Sequence, residues 1–397
     1  MNKIDKMIKD LCPDGVPYKE LKDLCISLKK DTLKMTQLTK EGYPVINSGR
    51  NLYGFYSDYN NDGNAFTVAA RGEYAGYLNY FEKKFWAGGL CYPYRSKDEN
   101  IIRTKYAYYY LKNLEKEIRS DLVSTGGIPA LNKSDLEKIN IALPHTDIQD
   151  EIIKILDKFG ELEAELEAEL EARESQYEFW SGKIFENHMD GNTKHITDIA
   201  LVKARVGWQR LTTAEYLSSG DYYLITGTDF KIDGTIDFNS CVYVTKERYD
   251  MDDNIQVHEN DILITKDGTL GKIAFLNTEP DKPATLNSGV FRIKIIDKDV
   301  LPRYIYHYFN SKVFKDFVES VKTGSTIPHL TQEKLVGLDI PIPDKSEQVK
   351  IISILDRFDS LTRSLTFGIP AEIELRRQQY EYYRNKLLSF EELSVSE

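Results

Sequence analysis

The chain has 397 residues, of which 41% are apolar and 29% are charged, and its formal net charge is −11. That length can hold two or three domains with ordinary hydrophobic cores, which is typical of a soluble globular protein. No apolar run approaches about 18 residues, and the N-terminal residues lack the apolar stretch of a signal peptide. We therefore expect a cytoplasmic protein without a membrane segment.

Most of the net negative charge comes from one segment. Residues 145–190 carry 14 acidic and 4 basic side chains, whereas residues 1–144 carry 18 acidic and 22 basic ones. The net charge is thus a poor guide to nucleic-acid binding, which depends on local clusters of basic side chains. The acidic run indicates either a solvated helix face or a surface for a basic partner.

The four cysteines predict neither disulfides nor a metal site. They are scattered, without a Cys-x-x-Cys pair, and the 6 histidines do not cluster with them. Reduced thiols are the simplest interpretation. We expect no metal and no cofactor.

The first 144 residues are predicted to form a β-rich domain. Between about residues 43 and 100, short β-like runs are broken by glycine and asparagine. An amphipathic helix is expected at 104–122, followed by the glycine-rich turn Ser124–Pro129, a short helix and an apolar strand that ends at Pro144.

Residues 145–190 predict one long helix. Apolar residues recur every three or four positions from Ile148 to Leu170, and after polar Arg173 the stripe resumes from Tyr177 to Ile184. Three copies of Glu-Leu-Glu-Ala occupy residues 161–172. No proline or glycine interrupts residues 161–181, so helix propensity is high. The narrow apolar stripe favours packing against a partner helix. Its predicted seam residues are Ile152, Ile155, Phe159, Leu162 and Leu166.

The second half of the chain repeats the first. Residues 128–159 align without a gap onto 327–358, with 13 of 32 positions identical. This duplication predicts a second β-rich domain at 191–343 and a second helical segment at 344–397. The second segment should break near Phe367–Pro370, before a last helix at about 371–388. Its predicted seam residues are Ile351, Ile354, Phe358, Leu361 and Leu365.

Together these elements predict an α+β fold with an internal pseudo-two-fold repeat. The two apolar seams in one chain can pack against each other, so we expect two β-rich domains separated by an antiparallel pair of long helices.

The sequence offers little support for catalysis. Lys266–Lys272 resembles a phosphate-binding loop, but it has two residues between its glycines where that loop needs four, so a glycine-rich β-turn is the better interpretation. Glu82–Lys84 satisfies a nuclease-like Glu-x-Lys pattern that is too loose to be informative. Gly-x-Ser-x-Gly, His-Glu-x-x-His and the Asn-Pro-Pro-Tyr or Asp-Pro-Pro-Tyr motifs of amino-methylating enzymes do not occur.

The loops between the predicted strands combine basic, amide, hydroxyl and aromatic side chains. Arginine can contact guanine, asparagine can pair with adenine, and lysine can hold phosphate, although glycine, asparagine and serine are also ordinary turn formers. The candidate DNA contacts are Asn47, Ser48, Arg50, Arg71, Tyr74, Lys83, Lys84, Trp86, Thr226, Thr228, Asp229, Lys266, Asp267, Thr269, Asn287 and Ser288.

The duplicated layout resembles the specificity (S) subunit of type I restriction-modification systems. Further similarity lies in Leu11–Val16, Phe85–Gly89, Leu224–Phe230, Leu263–Thr269 and the closing segment Ile369–Leu388. The resemblance implies two target-recognition domains, each reading one half of a bipartite, asymmetric site in double-stranded DNA. It also implies a non-catalytic subunit that docks two methyltransferase (M) subunits, in a complex that recruits restriction (R) subunits.

The tetrapeptide repeat suggests that helix length sets the gap between the two half-sites, as the resemblance implies for some members of this family. One more unit would lengthen the helix by about 6 Å, one or two base-pair steps of roughly 3.4 Å. A merely stable, glutamate-rich helix is the alternative.

Three other functions remain open on the sequence. The chain could be a single-chain DNA methyltransferase or nuclease, or a tandem protein-binding scaffold whose helices dimerise. It could also be an inactive or phase-variable allele of a specificity subunit.

Overall fold

A computed structural model describes residues 2–207, 211–267, 270–321 and 329–393. The chain divides into two compact units, a first unit of Met1–Ala164 with Leu375–Glu397 and a second unit of Glu165–Glu374. Within the described ranges, no helix is both long and apolar enough to cross a bilayer.

Both units contain helices and strands. The helices are α1 (Asn2–Leu11), α2 (Leu21–Leu24), α3 (Thr104–Asn113), α4 (Glu115–Glu117), α5 (Lys133–Leu136), α6 (Thr146–Met189), α7 (Ile196–Ile199), α8 (Lys246–Tyr249), α9 (Pro302–Asn310), α10 (Lys312–Val321), α11 (Gln332–Val336), α12 (Lys345–Thr362) and α13 (Ile369–Leu387). The strands of the first unit are β1 (Tyr18–Glu20), β2 (Cys25–Ser27), β3 (Tyr43–Ile46), β4 (Gly54–Tyr56), β5 (Ala65–Ala69), β6 (Leu78–Phe81), β7 (Trp86–Ala87), β8 (Cys91–Ser96), β9 (Val123–Ser124), β10 (Ala130–Leu131) and β11 (Asn140–Ala142). Those of the second unit are β12 (Thr193–His195), β13 (Ala200–Ala204), β14 (Tyr222–Ile225), β15 (Val242–Val244), β16 (Gln256–Val257), β17 (Ile262–Thr265), β18 (Ile273–Phe275), β19 (Ala284–Leu286), β20 (Val290–Ile295) and β21 (Asp339–Pro341).

Each unit contains two larger sheets with matching topology. In the first unit the strand orders are β2-β8-β5-β6 and β4-β3-β7, and in the second they are β13-β20-β17-β18 and β15-β14-β19-β16. The parallel pair β3–β7 corresponds to the parallel pair β14–β19. The internal repeat therefore extends to the sheets of the β-rich domains.

The central strands β5 and β17 are buried along their whole length. Because both faces of such a strand are covered, its sequence is a short continuous apolar run rather than an alternating one. This explains the apolar runs that mark the predicted β-rich domains.

A buried glutamine lies in the first turn of the repeated helix in each unit. The side chain of Gln149 bonds to the backbone of Arg103, Ile101 and Pro144, at 2.8–3.0 Å. Gln348 makes the corresponding bonds to three backbone groups at 2.9–3.0 Å. Both glutamines are fully buried, and each ties the start of its helix to the β-rich domain before it.

The long helix predicted at 148–184 is confirmed as α6, which is continuous over 44 residues. In the first unit it packs against α13. The Phe159 ring lies 6.1 Å from that of Tyr380 and 5.7 Å from that of Tyr383, and Arg377 donates to Glu163 at 2.6 Å. Because the contacts on α13 move toward lower residue numbers as those on α6 move higher, these two segments run antiparallel.

The predicted seam on α12 is displaced from the buried stripe. Ile351 is buried and Phe358 is half-buried, but Ile354, Leu361 and Leu365 are exposed. The buried face consists of Gln348, Ile351, Leu355, Asp359 and Thr362. Three of those five residues are polar, so a search for apolar periodicity follows the neighbouring face instead.

The seam residues on α6 are Ile152, which is buried, and Ile155, Phe159, Leu162 and Leu166, which are half-buried. Leu156 is fully buried beside them, at the position that corresponds to Leu355. On both helices, the most buried apolar positions pack in the core of a β-rich domain.

The break predicted within the second helical segment occurs between α12 and α13. Gly368 has φ +93°, and a Cβ built there would lie 2.5 Å from the carbonyl oxygen of Ser360. Only glycine meets both requirements at low cost. A further break separates α9 from α10, where the buried Ser311 hydroxyl donates to the Tyr308 carbonyl oxygen at 2.6 Å.

Candidate nucleic-acid interface

Three loops of the first unit are held side by side by backbone hydrogen bonds. They follow β3, β5 and β7. The Gly88 amide donates to the Ile46 carbonyl oxygen at 2.7 Å, and the Ala70 amide donates to that of Leu90 at 2.9 Å. The Leu131 amide adds a fourth segment by donating to the Ala70 carbonyl oxygen at 2.9 Å.

The second unit builds the same frame after β14, β17 and β19. The Asn287 amide donates to the Ile225 carbonyl oxygen, and the Lys266 amide donates to that of Gly289, both at 2.9 Å. The Leu330 amide donates to the Lys266 carbonyl oxygen at 3.0 Å. We call the segments that follow β3, β5 and β7, together with the segment of Leu131, the first loop frame. The segments that follow β14, β17 and β19, together with the segment of Leu330, are the second loop frame. They have equivalent backbone connections and different side chains.

Two arginines of the first loop frame are exposed. Arg71 and Arg50 present guanidinium groups that suit guanine or phosphate recognition. Ser48 is half-buried, as is Tyr74, whose ring lies 6.5 Å from that of Tyr77. Of the predicted DNA contacts, these four side chains are exposed or half-buried in the first loop frame.

Asn47 has a structural role in the same frame. Its Oδ1 accepts a hydrogen bond from the Leu90 amide at 2.9 Å, which ties the loop after β3 to the loop after β7. A Cβ at Gly88 would lie 2.6 Å from that oxygen, so the two loops approach closely. The asparagine side chain is therefore engaged in shaping the frame.

Lys84 and Trp86 are also engaged within the protein. The Lys84 ammonium group donates to the Tyr59 hydroxyl at 2.7 Å and lies 4.0 Å from the centre of that ring. The Trp86 indole donates to the Asp31 carbonyl oxygen at 3.1 Å. Lys83 is exposed. These residues precede or begin β7, whereas the first loop frame lies beyond its end.

In the second loop frame, Asp229 closes a turn. Its side chain is 3% exposed and accepts from the Thr226 amide at 2.7 Å and the Thr226 hydroxyl at 2.9 Å. The Ser240 hydroxyl donates to its other oxygen at 3.0 Å. Asp229 thus positions Thr226, while Thr228 is exposed at the tip of the turn.

The loop after β17 carries a hydrogen-bonded pair that the sequence did not indicate. Asp267 Oδ1 lies 2.7 Å from His329 Nδ1, and the two backbones form an isolated β-bridge. Lys266 Nζ is 3.6 Å from Asp267 Oδ2 and 5.7 Å from the centre of the Phe291 ring. Thr269 lies outside the described residues.

The loop after β19 is shaped by its own amide side chain. Asn287 Oδ1 accepts from the Gly289 amide at 3.0 Å and from the Ser288 hydroxyl at 3.1 Å. Asn287 Nδ2 also donates to the Tyr216 hydroxyl. Asn287 and Ser288 are both half-buried, and their bonds stabilise the second loop frame.

Equivalent positions of the two frames carry different charges. Arg71 forms a backbone bridge with Ala130, and Asp267 forms the corresponding bridge with His329. Lys30 was also missed by the sequence patterns. Its Nζ donates to the Gly89 carbonyl oxygen at 3.0 Å and lies 4.6 Å from the centre of the Tyr92 ring. Among the described residues, neither frame gathers three metal-ligating side chains.

A family model for the type I restriction modification DNA specificity domain matches residues 13–172 and 190–375. The chain belongs to this family. The match covers both β-rich domains, both loop frames and most of the helical residues, and it confirms the resemblance that the sequence motifs indicated.

Two curated relatives support the assignment. The Escherichia coli type I restriction enzyme EcoR124I/EcoR124II specificity subunit is 31% identical over 301 residues, which cover 74% of this chain and 73% of the relative. A putative type I restriction enzyme specificity subunit of Haemophilus influenzae is 28% identical over 404 residues, covering 98% of each chain.

Solved structures share the fold. The crystal structure of an S subunit from M. genitalium has a TM-score of 0.54 at 18% identity and covers 94% of this chain and 95% of its own. A chain from work on the assembly and conformational transition of a type I R-M system has a TM-score of 0.62 at 12% identity, covering 95% and 98%. The α+β fold with two β-rich domains and a long central helix is therefore that of this family.

Proposed function

We propose that this chain is the DNA sequence-recognition subunit of a type I restriction-modification complex, and that each β-rich domain reads one half of a bipartite, asymmetric site. The observation that carries the proposal is the pair of loop frames. Their backbones are connected in the same way, while Arg71 in one corresponds to Asp267 in the other. A common scaffold with different side chains suits two modules of one kind that read different bases.

The proposed roles follow the four predicted segments. Residues 1–144 and 191–343 hold the target-recognition domains, and residues 145–190 and 344–397 hold the helices that set the spacing. The helical segments repeat in sequence, and Gln149 and Gln348 attach them to the β-rich domains in the same way. Two similar docking surfaces suit two M subunits, with R subunits joining through the complex. The chain itself is proposed to be non-catalytic.

The decisive experiment co-expresses the chain with its adjacent methyltransferase gene in a methylation-free host, followed by long-read sequencing of methylated adenines. A split motif with a fixed gap is the expected result, and it would supply both half-sites. Formation of the complex without methylation would contradict the proposed activity and favour an inactive allele.

Two other outcomes identify the alternative functions. Methylation by the purified chain alone would indicate a single-chain methyltransferase, and cleavage by it would indicate a nuclease. Absence of both a complex with methyltransferase and salt-sensitive DNA binding would favour a protein-binding scaffold, since phosphate contacts make DNA affinity strongly salt-dependent.

A further inference from the structure

A buried cluster of ionisable side chains joins α9 to α12 in the second unit. His307 on α9 is 0% exposed, and Asp359 on α12 is 8% exposed. His307 Nε2 lies 2.8 Å from Asp356 Oδ1, and His307 Nδ1 lies 3.9 Å from Asp359 Oδ2. One imidazole is thus placed between two carboxylates.

The two sides of this imidazole differ. Nε2 and Asp356 are at hydrogen-bond distance, which fits a tautomer with the proton on Nε2. Nδ1 and both carboxylate oxygens of Asp359 are buried and have no hydrogen-bond partner within 3.5 Å among the described residues, although Arg303 and Arg363 each form an ion pair with Asp359 at 3.6 Å. Two buried acceptors that face each other repel unless a cation lies between them.

The 3.9 Å separation between Nδ1 and Oδ2 distinguishes a metal ion from a proton. An N–H···O hydrogen bond spans about 2.7–3.2 Å, so a shared proton would require these groups to move closer. Zinc lies about 2.0–2.1 Å from a histidine nitrogen and about 2.0–2.2 Å from a carboxylate oxygen. A metal ion can therefore bridge Nδ1 and Oδ2 with little movement of either side chain.

The neighbouring charges reduce the affinity expected of such a site without blocking it. Arg303 Nη2 and Arg363 Nη1 each lie 3.6 Å from an Asp359 oxygen. Both guanidinium groups have closer partners, because Arg303 Nε donates to Asp356 Oδ1 at 2.8 Å and Arg363 Nη1 donates to Asn310 Oδ1 at 2.9 Å. We expect weaker binding than at a structural zinc site.

Asp356 is suited to orient the imidazole. Its Oδ1 lies 2.8 Å from His307 Nε2 and accepts a hydrogen bond from Arg303 Nε at 2.8 Å, so the carboxylate is held against the imidazole. An ionised carboxylate on the far nitrogen of a ligating histidine is the usual support of a metal-bound imidazole.

A cavity of about 280 Å³ opens beside the cluster and can supply water ligands. Asp356 and Asp359 are part of its wall, together with Ser360, Ser364 and Thr235. Water would complete the coordination of an ion that has few protein ligands.

The first unit has the equivalent orienting carboxylate but lacks the two candidate metal ligands. The segment Lys105–Leu111 aligns with Arg303–Phe309, which pairs Tyr109 with His307, and the alignment of 128–159 with 327–358, extended by one residue, pairs Gly160 with Asp359. The Tyr109 hydroxyl donates to Asp157 Oδ1 at 2.5 Å, and Asp157 corresponds to Asp356. The orienting carboxylate is thus present in both units, whereas the candidate ligands occur in the second unit alone.

We propose that His307 Nδ1 and Asp359 bind a divalent transition-metal ion such as Zn²⁺, with Asp356 as the orienting carboxylate. The ion would connect α9, which belongs to the β-rich domain of the second unit, to α12. It would stabilise the attachment of that domain to its helix.

The test measures metal bound by the full-length chain after chelation and equilibrium dialysis against ZnCl₂. We expect one equivalent of zinc at saturation and a rise in the melting temperature of the second unit. Cobalt(II) in place of zinc should give visible absorption bands that report a nitrogen- and oxygen-ligated ion. H307Y and D359N should each lower the affinity at least tenfold, and D356N should lower it about 10- to 100-fold.

Two variants separate loss of the metal site from loss of folding. H307Y copies the residue of the first unit, where the tyrosine hydroxyl bonds to the equivalent carboxylate, so it should fold normally in chelator. The exposed pair His145 and Asp147, 3.5 Å apart, provides the matched control, and H145Q/D147N should bind zinc as the unmodified chain does. Zinc binding equal in the unmodified chain and in H307Y, or lost in the control variant, would overturn the proposal.

Discussion

At the scale of single residues, the structure separates exposed groups from groups that build the loops. Arg71 and Arg50 are exposed at the first loop frame, whereas Asn47 and Asp229 use their polar atoms to hold backbone amides. Sequence patterns do not distinguish these roles, because asparagine and aspartate are common both in turns and at DNA interfaces.

Arg71→Ala tests the first loop frame. If the guanidinium group contacts a base, the substitution should weaken DNA binding by about 1–3 kcal/mol and relax one position of the first half-site only. Adenine methylation mapped in the co-expressed complex would show this. Lys9→Ala, an exposed change on α1, is the control and should leave the motif unchanged. An unaltered first half-site in R71A would contradict a base contact.

Gln348→Leu tests the attachment of α12. The substitution removes three part-buried hydrogen bonds and leaves the Leu301 amide and the carbonyl oxygens of Asp299 and Pro343 without their side-chain partner. An orphaned buried group costs about 1–3 kcal/mol, so we expect loss of stability on the order of 3 kcal/mol in the second unit. Hydrogen exchange resolved by peptide should show faster exchange there, with the first unit unaffected.

Gln149→Leu should give the reciprocal pattern, with faster exchange in the first unit. The exposed Gln176 provides the control, since Gln176→Leu should change stability by less than about 0.5 kcal/mol. Equal effects of Q348L on both units would show that the buried glutamine does not act locally.

At the scale of elements, polar residues decide which face of α12 is buried. Gln348, Asp359 and Thr362 lie on the buried face with Ile351 and Leu355, and this mixture conceals the face from apolar periodicity. On α6 the glutamates of the tetrapeptide repeats are exposed except for Glu163, which pairs with Arg377. Most of the acidic run is therefore exposed, which fits both a solvated face and a surface for a basic partner.

Two glycines of the helical segments should respond in opposite directions to alanine. Gly368 has φ +93° and no room for a Cβ, so Gly368→Ala should destabilise the second unit by on the order of 1–3 kcal/mol. Gly160 lies inside α6, and a Cβ added there would meet nothing within 4 Å, so Gly160→Ala should stabilise the helix by about 0.5–1 kcal/mol. Urea unfolding of both variants checks the signs, and stabilisation by G368A would contradict the account of the break.

At the scale of the whole molecule, each unit combines one β-rich domain with parts of two helical segments. The boundary between the units falls between Ala164 and Glu165, after the first tetrapeptide copy, and again between Glu374 and Leu375. The tetrapeptide repeats thus lie where α6 passes from one compact unit to the other.

Insertion of one Glu-Leu-Glu-Ala unit tests whether these repeats set the spacer. Four residues add about 6 Å of helix, or one to two base-pair steps of roughly 3.4 Å, so the accepted gap should lengthen while both half-sites stay the same. Deletion of one unit should shorten it. Methylome sequencing reads both results. An unchanged gap in both variants would leave the repeats as a stable, glutamate-rich helix.

The sequence alone determined the duplication, the long helix, the break near Gly368 and the family resemblance. These features depend on local propensity and on repeated spacing, which are visible in one dimension. Tertiary structure decided the common loop frames, the buried face of α12, the pairing of Asp267 with His329, and the cluster around His307. Each of these depends on hydrogen bonds and burial between residues far apart in the chain, and no local pattern specifies which distant groups will meet.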